Sequence, residues 1–86
     1  MNNKINFVNT SDLVFEDISS ESYRIYNFIT NNGKIVSRRF NNPIKLNVSK
    51  SGGHRLFTED GICHYISPKW IDIEWVVKSG EPHFIK

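Results

Sequence analysis

Arg24, Lys34, Arg38, Arg39, Lys45, Lys50 and Arg55 all fall within residues 22–58, a stretch of 37 residues that holds no Asp or Glu. The remainder of the chain has four bases against nine acids, so the net charge of +2 conceals a middle segment of +7 between ends that sum to −5. Tyr23, Tyr26, Phe28, Phe40 and Phe57 share that segment. Cations neutralise phosphates and flat rings stack on bases, so this interleaving suits RNA or another single-stranded nucleic acid. Lys34, Arg38, Arg39, Lys45, Lys50 and Arg55 are the expected phosphate contacts, with Tyr26 and Trp70 as stacking rings. Seven phosphate contacts would give a log–log salt slope of about −5 to −6. The competing reading is a solvated basic face, neutralised by the acidic ends within the chain or across a dimer, or one that docks an acidic protein.

Other residue types raise other chemistries. His54, Arg55, Glu59 and His64 fall on one expected hairpin. A carboxylate, an imidazole and a phosphate-holding arginine could run acid–base cleavage of RNA if the two histidines faced each other. Glu59 and Asp60 are also ordinary turn residues, and an enzyme is not expected. His54, Cys63, His64 and His83 are metal-ligand types, but there is no CxxC or HxxxH spacing. Consecutive Cys63 and His64 point to opposite faces of a strand. No metal or other cofactor is expected. Gly52-Gly53 could present backbone N–H groups to an anion, though a plain hairpin turn accounts for it. Trp75 reads as core. Strand parity then turns Trp70 outward, to a base, a protein partner or the edge of the core.

These residues need a scaffold, and the pattern along the chain is β. Residues 4–8 and 13–18 read as short strands, separated by a turn cluster. Residues 23–30 (YRIYNFIT) are β-branched or aromatic at all but Arg24 and Asn27, which favours a strand over the alternative helix capped at Ser20. Asn31-Asn32-Gly33 then makes a hairpin turn into a strand over 34–40. Residues 44–49 alternate, with Ile44, Leu46 and Val48 inward and Lys45, Asn47 and Ser49 outward. Arg38 and Arg39, being adjacent, point to opposite faces of their strand. Residues 54–57 and 62–66 form a second hairpin. Residues 70–77 put Ile71, Ile73, Trp75 and Val77 on one face, and 83–86 add an edge strand. Seven or eight short strands at this spacing predict a mainly β fold, a small antiparallel meander forming a barrel or two-sheet sandwich with at most one short helix.

Eighty-six residues make a single domain, 1–86. At 38% hydrophobic residues the core is small, and a homodimer would enlarge it. The lone Cys63 allows no intrachain disulfide. The amino-terminal residues show no signal-peptide pattern, and no apolar run is long enough to span a membrane. A cytoplasmic location without membrane association is expected. Abundant Asn, Lys and Ile with no Ala suggests an A/T-rich genome, such as that of a phage or a low-GC bacterium.

The order of DISSESYR (residues 17–24), NPIKLNVSKSGGHR (42–55), HYISPKW (64–70) and GEPHF (80–84) resembles small proteins of tailed phages. By size, basicity and composition the chain is also similar to an RNA-binding, toxin-inhibiting anti-defence factor of T-even-type phages. The resemblance implies a phage accessory protein acting in the host cell, binding RNA and inhibiting a host defence enzyme or toxin. HYISPKW also has the cadence of the last strands of a cupin-like barrel. Asp72 stands where that pattern wants a metal-binding histidine, so no metal site is carried over. A protein–protein interaction or structural module is the second reading, and a small acid–base ribonuclease the third.

Overall fold

A computed structural model describes residues 7–85. The chain is mainly β, with two antiparallel sheets and no closed barrel among the described residues. A 3-10 turn at Thr10–Asp12, capped by the Asn9 side chain, precedes seven strands. These are β1 (Glu16–Asp17), β2 (Glu21–Ile29), β3 (Ile35–Asn41), β4 (Pro43–Val48), β5 (His54–Thr58), β6 (Cys63–Ile66) and β7 (Asp72–Val77). One sheet has the order β1-β4-β5-β6 and the other β3-β2-β7.

The β-rich run at 21–29 is a strand, as its residue types favour, and the helical alternative is excluded. It is the centre of its sheet, so it is buried on both sides by neighbours. β2 turns into β3 through Asn31-Asn32-Gly33, where Gly33 takes a φ of 79° that a side chain would resist. Only Asn42 separates β3 from β4, and there the chain crosses from one sheet to the other. Asn42 sits at φ 50°, a left-handed conformation that Asn tolerates. Its N–H donates to Ser22 of one sheet, and its carbonyl accepts from Glu59 at the end of the other. The crossover is therefore held from both sides.

The two inner faces share one core of Ile18, Tyr26, Phe40, Leu46, Leu56 and Ile66, with Phe28, Trp70 and Ile73 packed against it. Leu46 pairs with Leu56, and Leu56 with His64; Val48 pairs with His54, and His54 with Ile66. Those rows face inward. From the other sheet, Tyr26 meets Phe40 and Trp70 edge-on at centroid distances of 5.7 and 5.3 Å.

Several local expectations are corrected. Of residues 13–18 only Glu16–Asp17 pair as a strand. The strand expected at 4–8 lies mostly outside the described residues, and Phe7 and Val8 belong to none. Residues 83–85 form no strand. In β4 a bulge between Pro43 and Lys45 breaks the alternation. Pro43 takes the buried place, Ile44 is half-buried, and Val48 at the strand end is exposed. Trp70 precedes β7 rather than lying in it, and it folds over the core. No helix of the described residues is long and apolar enough to cross a membrane.

Candidate functional site

The basic segment divides when it folds. Arg24 turns inward and is 2% exposed. Its Nε and Nη2 donate to the two oxygens of the fully buried Glu21, at 2.6 and 2.8 Å. His83 reaches one of those oxygens at 2.7 Å and stacks on Trp75, whose indole N–H donates to the His83 carbonyl. Burial pulls the Arg24 guanidinium down, and hydrogen bonds to Glu21 and Tyr26 more than offset it, so its pKa lies above the ordinary value. Arg24 is thus a structural cation and takes no part in a binding surface.

Arg24 Nη1 also donates to the Tyr26 hydroxyl at 3.4 Å, and that hydroxyl lies 2.7 Å from His54 Nδ1. The phenol has one proton, and with Arg24 donating to its oxygen the proton goes to Nδ1. The ring proton of His54 is then on Nε2. Burial, with Arg24 nearby, lowers the His54 pKa from 6.5 to about 4, so the imidazole is neutral. Burial raises the Tyr26 pKa. Tyr26 has no exposed surface. It cannot stack on a base, and its expected role as a stacking ring is withdrawn. Trp70 packs against His54 at a centroid distance of 4.6 Å and against Tyr26. It is half-buried and does not stand out from a sheet as its expected role required.

The remaining bases sit on the surface. Lys34, Arg38, Arg39, Lys45 and Lys50 are exposed and Arg55 is half-buried. Among the described residues none of the six lies within an ion-pair distance of a carboxylate; both ion pairs involve Glu21. Lys34 stands at the β2–β3 turn. Arg38 and Arg39 do diverge. Arg38 belongs to the row of Tyr26 and lies over the Phe40 ring, 5.0 Å from its centroid. Arg39 belongs to the outward row of Ile25 and lies 3.8 Å over the Tyr23 ring.

Lys45 and Arg55 come together on the outer face of the four-stranded sheet. Lys45 pairs with Phe57, and Phe57 with Cys63. Asn47 pairs with Arg55, and Arg55 with Tyr65. Inward-facing Leu46, Leu56 and Ile66 alternate with these residues, so the two rows must face out. They lie about 7 Å apart along the strands. The Asn47 side chain accepts from Arg55 Nη1 at 2.7 Å and donates to the Val14 carbonyl at 2.8 Å. The first bond aims the guanidinium across the sheet, and the second ties the amino-terminal segment to it. Asp17 faces Lys45 across the β1–β4 pairing. Its pKa is lowered by hydrogen bonds from Ser19 and, to a smaller extent, by Lys45.

Tyr65 and Phe57 are the rings on this face, Tyr65 being 53% exposed and Phe57 half-buried. Phe57 belongs to the basic segment, and Tyr65 lies outside it. Strand parity with Arg55, and the pairing that the 58–61 turn imposes between β5 and β6, were the signals for both. The Tyr65 hydroxyl meets Ser51 Oγ at 3.0 Å and Ser49 Oγ at 3.3 Å. Those bonds, with Arg55 nearby, lower its pKa. Gly53 lies directly beneath: a Cβ there would run into the Tyr65 hydroxyl and ring. The Gly52-Gly53 turn therefore makes room for Tyr65.

The residues imagined as an acid–base set are not assembled. His54 and His64 are both on the inner face but are not partners, since His54 pairs with Ile66 and His64 with Leu56. His64 Nε2 lies 3.2 Å from the Thr58 hydroxyl, and its ring is 4.6 Å from that of Phe40. Arg55 projects from the opposite face, and Glu59 is exposed in the turn. Among the described residues no three His, Cys, Asp or Glu side chains are placed to hold a metal ion. Comparison of the chain with known protein families, with curated proteins and with solved structures gives no match.

Proposed function

We propose that the chain binds a single-stranded nucleic acid, RNA in particular, on the outer face of the β1-β4-β5-β6 sheet. Lys45 and Arg55 hold successive phosphates there, and Tyr65 and Phe57 offer rings to the bases. The observation that carries this reading is the shared face itself. Two cations with no carboxylate within ion-pair distance among the described residues, Asp17 facing Lys45 across β1 and β4, stand in adjacent rows with two aromatic rings. RNA is also what the resemblance to anti-defence factors of T-even-type phages implies, and inhibition of a host defence enzyme or toxin would follow from holding an RNA that the enzyme needs. Chemical-shift mapping with a single-stranded RNA oligonucleotide tests the reading. Shifts are expected at Lys45, Arg55, Phe57 and Tyr65, and an unperturbed outer face at saturating RNA would overturn it.

A second reading, a protein-interaction module, is favoured by the charge across the β3-β2-β7 sheet. Its β3 edge carries Arg38 and Arg39, its β7 edge carries Asp72 and Glu74, and Ile29, Ile35 and Val36 are exposed at the β2–β3 end. Two copies meeting basic edge to acidic edge would extend the sheet. Self-association that weakens with salt and is lost in Arg38→Glu/Arg39→Glu would support it; a monomer at low salt and high concentration would exclude it.

A further inference from the structure

Where the amino-terminal segment crosses the end of the four-stranded sheet, the two enclose an open groove of about 630 Å³. That volume is in the range of small-molecule sites. Its two walls differ in chemistry. The hairpin wall is formed by Ser49, Lys50, Ser51, Arg55 and Tyr65. Three hydroxyls meet there, with Ser49 and Ser51 2.9 Å apart and Tyr65 touching both. The opposite wall is mainly apolar, formed by Val8, Leu13 and Val14, with Asp12 as its one carboxylate.

We propose that this groove is a site for a nucleoside monophosphate, with the phosphate at the hairpin wall and the base against the apolar wall. A phosphate monoester has three terminal oxygens and close to two negative charges at neutral pH. The hairpin wall offers two cations and three hydroxyls that can turn their protons toward an anion. An internal phosphodiester has fewer free oxygens and a single charge, so the match is to a terminal phosphate. Arg55 lines the groove, and the Asn47 bond takes up only its Nη1 among the described residues. Asp12 repels a phosphate and accepts from the amine edge of a base, which fixes which way round the nucleotide lies. Gly53 lets the Tyr65 hydroxyl reach the two serines, so the donor set depends on the missing side chain at that turn.

The phosphate has two sources, the 5′ end of a strand lying on the sheet or a free nucleotide. The first source rests on the proposed strand binding; the second does not. Calorimetric titration of the full chain with AMP, adenosine, and a 5′-phosphorylated and a 5′-hydroxyl RNA of one sequence separates them. AMP is expected to bind at least ten-fold tighter than adenosine, and the 5′-phosphorylated strand at least ten-fold tighter than its 5′-hydroxyl counterpart. Ser49→Ala/Ser51→Ala should abolish both preferences and leave the 5′-hydroxyl strand's affinity unchanged. AMP binding with no affinity for either strand would keep the groove as a free-nucleotide site and remove the strand reading. Equal binding of the two strands together with no response to AMP would overturn the groove site and leave the sheet surface standing.

Discussion

The Tyr26 hydroxyl lies 2.7 Å from Nδ1 of His54, and this one hydrogen bond joins the inner faces of the two sheets. With the phenol donating, it needs an unprotonated Nδ1, which the low pKa of His54 keeps in place. It is also the end of a buried polar chain that runs from His83 through Glu21, Arg24 and Tyr26. Of that chain Tyr26 belongs to the core itself, and its buried members have direct consequences for stability.

Acid should weaken the fold well above the carboxylate range. His54 has a pKa of about 4 in the folded protein, against an ordinary 6.5. Between those values the unfolded chain binds the proton and the folded one does not. The contribution is complete above pH 6.5 and is lost as pH falls through the window to about 4. Its size is about 3 kcal/mol. Urea unfolding at pH 7, 5.5 and 4 measures it, and His54→Gln should flatten the dependence in that window. An equal slope in parent and variant would locate the pH sensitivity elsewhere.

The Glu21–Arg24 pair should respond asymmetrically to mutation. Removing Glu21 leaves the buried Arg24 charge uncompensated, at about 3–5 kcal/mol, and removing Arg24 leaves buried Glu21 with His83 alone. Glu21→Gln or Arg24→Met alone should therefore destabilise strongly. The double substitution removes both charges and should cost less than the two single effects added together. A double-mutant cycle by chemical denaturation gives the coupling, and strict additivity would show the two groups to be independent.

Gly53→Ala should act through Tyr65. The backbone at Gly53 is not left-handed, but an alanine methyl group would displace the tyrosine ring and press on the Ile66 carbonyl oxygen at 3.0 Å. Tyr65 is half exposed and its ring can swing away, but the Ile66 carbonyl cannot, so the stability loss should fall within the about 1–3 kcal/mol that overpacking costs. The phenol would lose Ser49 and Ser51, and its titration should move back up toward the ordinary tyrosine value. Ultraviolet titration of the phenols would register that shift. An unmoved Tyr65 would mean that the hydroxyl contacts survive the methyl group.

The β architecture was legible because its signals are local. Residues 23–30 are dense in β-formers, Asn31-Asn32-Gly33 sets a hairpin, and 54–66 fold back at Thr58–Gly61. Parity correctly separated Arg38 from Arg39. The basic segment was harder to read, since summing charge along residues 22–58 treats every cation alike. Arg24 differs because Glu21, one residue outside the counted stretch, follows it into the core. Tyr26 was misplaced for a related reason, while Trp70 took the core-edge place that was one of its alternatives. Both have a ring large enough to close a small core, and the Tyr26 hydroxyl is satisfied internally by His54 and Arg24. The outer-face rings were missed because Tyr65 joins Arg55 through strand register across β5 and β6, a relation that charge counting along the chain does not contain. The bulge at Pro43–Lys45 likewise depends on a partner strand.

The most direct test of the account is the salt dependence of binding to a short fluorescent single-stranded RNA. Contact through Lys45 and Arg55, with Lys50 at the hairpin tip, gives a slope of about −2 in log K against log salt, well short of the slope for the whole basic segment. Lys45→Glu/Arg55→Glu should reduce affinity at least ten-fold and flatten that slope, and Arg38→Glu/Arg39→Glu should change it far less. If the β3 reversal abolishes binding while the Lys45/Arg55 reversal leaves affinity and slope intact, the outer face of the four-stranded sheet is not the binding surface.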